Sequence, residues 1–310
     1  MKTKLWLGVG AFVLAGAIVP VTRTDDANAS PRTDAIKIPA RALPIAEAGE
    51  GGEGGGAPAF YSLTSSDPNA YSYDAEPVIN AYVDLVRDSY AKAAGDAAAM
   101  NAAINAFLAN PDQNSLDSAR KAWIAARPAY LVTEAFRFYD GPIDAIEGQI
   151  NAWPMNEAAI DYVEGDAKAG LVNSMDMTLT EDLLLSSNQA NDEAEVTTGW
   201  HAVEFLLWGQ DLSADGPGAR PASDYVAGTP ANDRRRLFLQ LAAARLETDL
   251  KGLHDAWTTS DGEAYSAKFL GLPPREAIGR MLNGVAILAG FEFMSERMAV
   301  ALDSGDQEDE

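Results

Sequence analysis

The chain has 310 residues, with 46 acidic against 23 basic side chains and a net charge of −23; such a surface repels phosphate backbones and anionic lipid headgroups, which excludes nucleic acid as a partner. It contains no cysteine, which removes disulfides, thiolate zinc sites, iron–sulfur clusters and cysteine nucleophiles. The length suits one large or two ordinary domains, at about 100 to 200 residues each, and an apolar content of 47% is enough for a buried core.

At the start of the chain, Lys2 and Lys4 precede an apolar stretch from Leu5 to Val21, and Ala27-Asn28-Ala29 has the small-x-small pattern that signal peptidase reads. Residues 1–29 are therefore expected to be a signal peptide cut after Ala29. The mature chain would reside in the periplasm or cell envelope without a stable membrane span. Residues 30–75 show neither helical nor strand periodicity, and EAGEGGEGGGAPA (47–59) marks a disordered acidic glycine linker.

From Val78 the apolar period becomes helical. Val78, Ile79, Tyr82, Val83, Val86 and Tyr90 share a face, and the pattern runs to Leu108 before Asn110-Pro111 stops it. A second helix over 115–139 places Trp123, Arg127, Tyr130 and Glu134 on one stripe; Pro128 predicts a kink near 124–127, where a carbonyl loses its donor. Asp140-Gly141-Pro142 is a turn, 150–163 an irregular segment with a short helix after Pro154, and 183–187 another short helix. A helix over 193–208 ends at Gly209, SADGPGARPAS is a loop, and the last helices cover 232–257 and 275–302. Strand-like alternation is nearly absent. The expected fold is all-α, two packed helical-bundle domains of long antiparallel helices, an N-terminal one over 76–190 and a second over 191–310.

The stretch GWHAVEFLLWGQDLS (199–213) holds His201, one of only two histidines, three positions before Glu204. On a helix, positions three apart project from the same face, so the pair can hold one ion together. Trp200, Val203, Phe205, Leu206, Leu207 and Trp208 leave little room for a solvated face. Glu204 is therefore expected to be at least partly buried, which is costly unless it is paired, hydrogen-bonded or bound to metal. The alternative is structural, with Glu204 on an arginine and His201 on a backbone carbonyl. The spacing is neither the H-E-x-x-H of zinc peptidases nor the Glu-x-x-His of di-iron bundles. Arg127 and Glu134 could complete a site or form an internal ion pair. Glu292 and Glu296 extend the apolar stripe of the last helix, where Arg297 adjoins Glu296 and favours a solvated end. His254 reads as a surface histidine or a helix-dipole partner.

The blocks TGWHAVEFLLWGQD (198–211), EAFRFYDGPID (134–144), INAWPMNEAAIDYV (150–163), GPGARPASDY (216–225) and ERMAVALDSGDQEDE (296–310) are collinear. Together they resemble the imelysin-like family, with its G-x-H-x-x-E signature, and in particular its iron-regulated branch. The resemblance runs from about residue 76 to the last residue. It implies a periplasmic or envelope protein of two helical bundles with the signature near their interface. It also implies two conflicting roles, metallopeptidase and component of iron-regulated or iron-uptake systems. In the family the segment matching 306–310 continues into further helices, so the second bundle is expected to be truncated here, with apolar surface exposed on the last helix.

A hydrolytic zinc site needs about three protein ligands, an open position and usually a general base. With one credible histidine among carboxylates, iron is favoured over zinc. The expected function is thus an exported metal-binding protein for iron acquisition or handling. Its metal ligands would be His201, Glu204 and Glu134, with Arg127, Tyr130, Asp211 and Glu292 behind them, and its partners the metal ion and an envelope iron-transport component. One alternative is a metallopeptidase using Glu204 as ligand or base. Another is a non-catalytic scaffold held by a His201/Glu204/Arg127 network.

Overall fold

The computed structural model describes residues 73–213, 216–258 and 264–304. The expected signal peptide and most of the expected linker lie outside these residues. Helix α1 (Glu76–Ala109) opens with Pro77, which costs no hydrogen bond in a first turn. It buries Ile79, Val83, Val86, Tyr90, Ala97, Met100, Ile104 and Phe107, a three-and-four spacing that makes one continuous apolar face. Each large side chain in that row contributes about 1.5–3 kcal/mol on burial.

Helix α2 (Gln113–Leu131) starts two residues before the expected Ser115, because Asp112 is its cap. The Asp112 carboxylate accepts from the Ser115 N–H at 2.8 Å and the Ser115 hydroxyl accepts from the Asp112 N–H at 3.1 Å, a reciprocal capping box. Pro128 lies inside α2, and the coil tightens into a 3-10 turn over Val132–Phe136. The helix expected to reach Tyr139 therefore ends early. Asp144 is the reason: its carboxylate accepts from the N–H groups of Phe138 (2.8 Å), Tyr139 (3.2 Å) and Gly141 (2.9 Å), drawing the chain into a turn with positive φ at Phe138 and Asp140.

Single helical turns at Glu147–Ile150 and Gly170–Asn173 and the short α3 (Glu181–Ser187) occupy the irregular middle. Helix α4 (Gly199–Trp208) begins six residues later than expected. The backbone before it is bonded elsewhere: Ala194 O accepts from Asn156 N–H (2.6 Å), Glu195 O from Gln189 N–H (2.8 Å), and Thr197 N–H donates to the Asn188 side chain (2.9 Å). Helix α5 (Pro230–Thr258) packs on α1 and on α4, α6 (Tyr265–Leu270) is short, and α7 begins at Pro274. From Leu288 to Ala299 its coil widens to a π-helix before the last α-turns end at Ser304.

The described residues are helical, with one isolated bridge between Val163 and Asp166 and no strand. A hydrophobic cluster running from Ala75 to Ala277 joins α1, α2, α4 and α5 in a shared core. Among the described residues no helix is long and apolar enough to cross a membrane. On α7 and its extension Leu282, Val285, Phe291, Met294, Met298 and Leu302 are exposed.

Candidate functional site

Helix α4 is seated by its first residues. Gly199 has φ +82° and lies so close to the preceding segment that a Cβ there would sit 2.3 Å from the Ile150 carbonyl oxygen. The Thr198 hydroxyl donates to Gln149 O at 2.8 Å. At the other end the carbonyls that a helix leaves unpaired are taken by side chains: Arg120 Nη2 donates to Leu207 O (2.9 Å) and the Tyr225 hydroxyl to Leu206 O. The backbone N–H of Arg220 donates to Trp208 O (2.7 Å). The helix is thereby held at both ends, which sets where its polar face points.

That face brings His201 and Glu204 together, with Nδ1 to Oε2 at 3.3 Å. The His201 side chain is 15% exposed and that of Glu204 41%, so the expected partial burial of Glu204 is present. On the far side of the imidazole, Arg127 Nη2 lies 3.4 Å from His201 Nε2. A guanidinium has no acceptor, so Nε2 must accept and the ring proton sits on Nδ1, donating to Glu204. The neutral tautomer agrees with the shift of the imidazole: burial pushes its pKa down, the Glu204 hydrogen bond opposes, and the Arg127 charge adds to the lowering. Trp153, 47% exposed, lays its ring against His201 with centroids 4.8 Å apart.

Arg127 stands among aromatic faces, its Cζ 6.0 Å from the Trp123 ring, 5.4 Å from Tyr130 and 5.5 Å from Trp200. Burial lowers its pKa, with Tyr130, Glu134 and Glu204 opposing. The internal Arg127–Glu134 ion pair offered by the sequence is not formed. Glu134 falls in the 3-10 turn rather than on the α2 stripe, fully buried. It accepts from Arg297 Nη2 (3.1 and 3.3 Å) and from Asn151 Nδ2 (3.1 Å), with Arg137 at 3.8 Å. Glu292 belongs to that second group, 3.9 Å from both Arg137 and Arg297, as does Glu147, 3.3 Å from Arg137. Burial raises the Glu147 pKa against the pull of Arg137. Asp211 joins neither group; its carboxylate accepts from Ser213 N–H at 2.8 Å. Tyr130 packs on Trp200, ring centroids 5.8 Å apart.

The structure thus joins His201, Glu204, Arg127 and Tyr130 in one cluster and gives the Glu134 and Glu292 carboxylates to arginines in another. Sequence reading missed Arg297, taken as part of a solvated helix end, and Asn151 and Trp153. The visible signal was a basic residue beside Glu296 on the last helix, and a tryptophan inside the 150–163 block. Glu134→Gln is expected to lower stability by about 1–3 kcal/mol by weakening its charged hydrogen bonds, as a reduced urea midpoint.

As a resident metal centre the arrangement does not fit. Among the described residues no group of three from histidine, aspartate and glutamate could hold one ion. The His201–Glu204 pair offers two donors, and the free edge of the imidazole meets a cation. What two donors can do is meet an ion that arrives with ligands of its own.

A third polar centre, also buried, sits behind α4. Asp161 accepts from Arg235 Nη2 at 3.0 Å and from Arg220 Nη1 at 2.5 Å, all three side chains being almost wholly buried. Arg220 also lies over the rings of Tyr162 (4.7 Å) and Phe205 (5.2 Å), and Tyr162 donates to Asp224 at 2.7 Å. This centre ties the 216–225 block and α5 to the core face of α4.

The imelysin family model (peptidase M75) matches residues 86–310. Iron-regulated protein A of Synechococcus elongatus is 24% identical over 236 residues, which cover 73% of this chain and 55% of that protein. A crystal structure from Parabacteroides distasonis ATCC 8503, assigned as an iron-regulated protein A precursor, superposes with a TM-score of 0.54 at 22% identity, covering 76% of this chain and 63% of that one. An imelysin-like protein from Psychrobacter arcticum 273-4 gives 0.47 at 18% identity, covering 70% and 61%. The chain therefore spans about half the length of the curated relative it matches.

Proposed function

The chain belongs to the imelysin family through residues 86–310, and from that premise we propose that it is an exported envelope protein of iron acquisition or handling, in which His201 and Glu204 receive iron as cargo. The carrying observation is the His201–Glu204 contact of 3.3 Å on a helix anchored at both ends, with the Glu204 carboxylate open to solvent. The name of the Synechococcus relative and the basic–apolar–small pattern of residues 1–29 support iron regulation and export respectively. A pair of one imidazole and one carboxylate suits iron better than the nitrogen- and thiolate-rich sites that favour zinc.

In this reading the ion takes the place of the proton between Nδ1 and Glu204, so that both groups touch it, and the ring proton moves to Nε2. Arg127, a donor only, then faces an Nε2–H and turns its fork to another acceptor. Glu134 becomes a third ligand only by exchanging Arg297 and Asn151 for the metal. The peptidase alternative asks for three ligands and a base, and the described residues bring two donors together.

A structural reading has its own support in the 3.4 Å Arg127–His201 contact, which makes a closed Arg–His–Glu chain without any ion. Titration of purified mature protein with iron and with zinc separates the two. His201→Ala and Glu204→Ala are each expected to weaken iron binding at least tenfold; unchanged affinity in both variants, with a lowered melting temperature, would establish the structural reading instead.

A further inference from the structure

The cluster around Arg127 has donors but lacks acceptors. Among the described residues Arg127 has no carboxylate within ion-pair distance, and its one polar contact there is the 3.4 Å approach to His201 Nε2. Its Nη1 is buried without a hydrogen-bond partner, and the same is true of the Tyr130 hydroxyl and the Trp200 indole N–H, two side chains at 0% exposure. All three belong to one packed group: the guanidinium carbon is 5.4 Å from the Tyr130 ring and 5.5 Å from the Trp200 ring. The nearby carboxylates are engaged elsewhere, Glu204 with His201, Glu134 with Arg297 and Asn151, and Glu147, whose charge bears most on Tyr130, with Arg137.

A buried polar group without a partner is costly, and native structures keep few of them without a purpose. Three together, one carrying a full positive charge, call for an anionic oxygen. We infer that Arg127, Tyr130 and Trp200 form a receptor for a small carboxylate anion beside His201. Arg127 supplies the charge and a planar donor fork that matches a carboxylate. The Tyr130 hydroxyl and Trp200 N–H supply neutral donors, and the aromatic walls exclude water, which strengthens each bond. The solvent-facing neighbours of the cluster lie on the His201 side, where Trp153 is 47% exposed and the Glu204 side chain 41%.

The anion site stands on these donors alone. Its further identification as the place where a metal's own carboxylate chelator docks, while His201 and Glu204 touch the metal, rests on the proposed iron-handling function. In that arrangement the two-donor protein site is completed by ligands the ion carries with it.

Calorimetric titration of the iron-free protein with citrate, acetate and phosphate tests the receptor, and titration with ferric citrate tests its link to iron. Iron-free citrate is expected to bind, at least tenfold more weakly in Arg127→Gln and roughly three- to tenfold more weakly in Tyr130→Phe, as loss of a charged or a neutral hydrogen bond implies. The tyrosine variant is isosteric and keeps the test open if the arginine variant does not fold. His201→Ala is expected to lose the added affinity for ferric citrate over iron-free citrate. No citrate or acetate binding in the wild type overturns the receptor, whatever the iron titration gives. Phosphate binding more tightly than citrate overturns the carboxylate assignment. Citrate and ferric citrate binding alike, in wild type and His201→Ala, overturns the iron reading and leaves the receptor standing.

Discussion

Asp161→Asn is expected to destabilise the protein by about 3–5 kcal/mol, the cost of leaving a buried charge without its partner. The carboxylate is the shared counter-ion of Arg220 and Arg235, and the asparagine that replaces it would leave both guanidinium groups in an almost fully buried site. Arg220 meets Asp224 only at 3.8 Å, too far to take over the role. The same residue sets an acid limit. Burial alone would raise its pKa, but the hydrogen bonds and charges of Arg235 and Arg220 win and hold it below its ordinary 3.8. A carboxyl whose folded pKa is depressed contributes stability above its unfolded pKa and loses it as pH falls through the folded value. Wild-type stability should therefore fall as pH drops below about 4, and Asp161→Asn should lack that part of the fall. Chemical denaturation at pH 7 and at pH 3 measures both effects; a variant as stable as wild type at pH 7 would sink the assignment of Asp161 as the clamp.

Gly199→Ala is expected to be nearly as damaging, and in a way that reaches the site. At φ +82° a non-glycine residue is strained by roughly 1–3 kcal/mol. Here the added methyl would also meet the Ile150 carbonyl at 2.3 Å and the Gln149 oxygen at 2.8 Å, both backbone atoms that cannot rotate away. The helix start must shift, and His201 lies two residues on. The expected result is a loss of about 3 kcal/mol or more in stability, together with a displaced His201–Glu204 pair in whatever fraction folds. Gly95→Ala is the control, since a Cβ there meets nothing within 4 Å; in the middle of α1 it should be neutral or stabilising by up to about 1 kcal/mol. Equal melting temperatures for Gly199→Ala and wild type would show that α4 does not depend on that close approach.

Much of the helical content was legible because the apolar residues recur at the helical period. The buried row from Ile79 to Phe107 is the row the spacing marks, and the pairing of His201 with Glu204 needs only a three-residue offset on a helix. Helix ends were less legible. The helix through Tyr130 was extended to Tyr139 because its apolar pattern continues, whereas the Asp144 carboxylate ends it by collecting three N–H groups across a turn. The helical pattern reaches back to 193, but nothing local reveals that the backbone of 194–197 is already bonded to 156, 188 and 189.

Residue order alone carries the local facts: an all-α chain, a His–Glu pair on one helix face, an acidic composition without thiols, and collinear blocks that place it in its family. Tertiary structure decided the partners. Glu134 could be placed on a stripe with Arg127, but its carboxylate belongs to Arg297, 163 positions away. Gly199 could be read as part of a signature, but its necessity lies in the Ile150 carbonyl pressed against it. Arg127 could be expected near the pair, but that it faces Nε2 among three aromatic rings with a donor unpaired is a property of the packed cluster. Periodicity is a short-range property of the chain, whereas a buried charge is matched by whichever group the folded core brings within reach, at any separation in sequence.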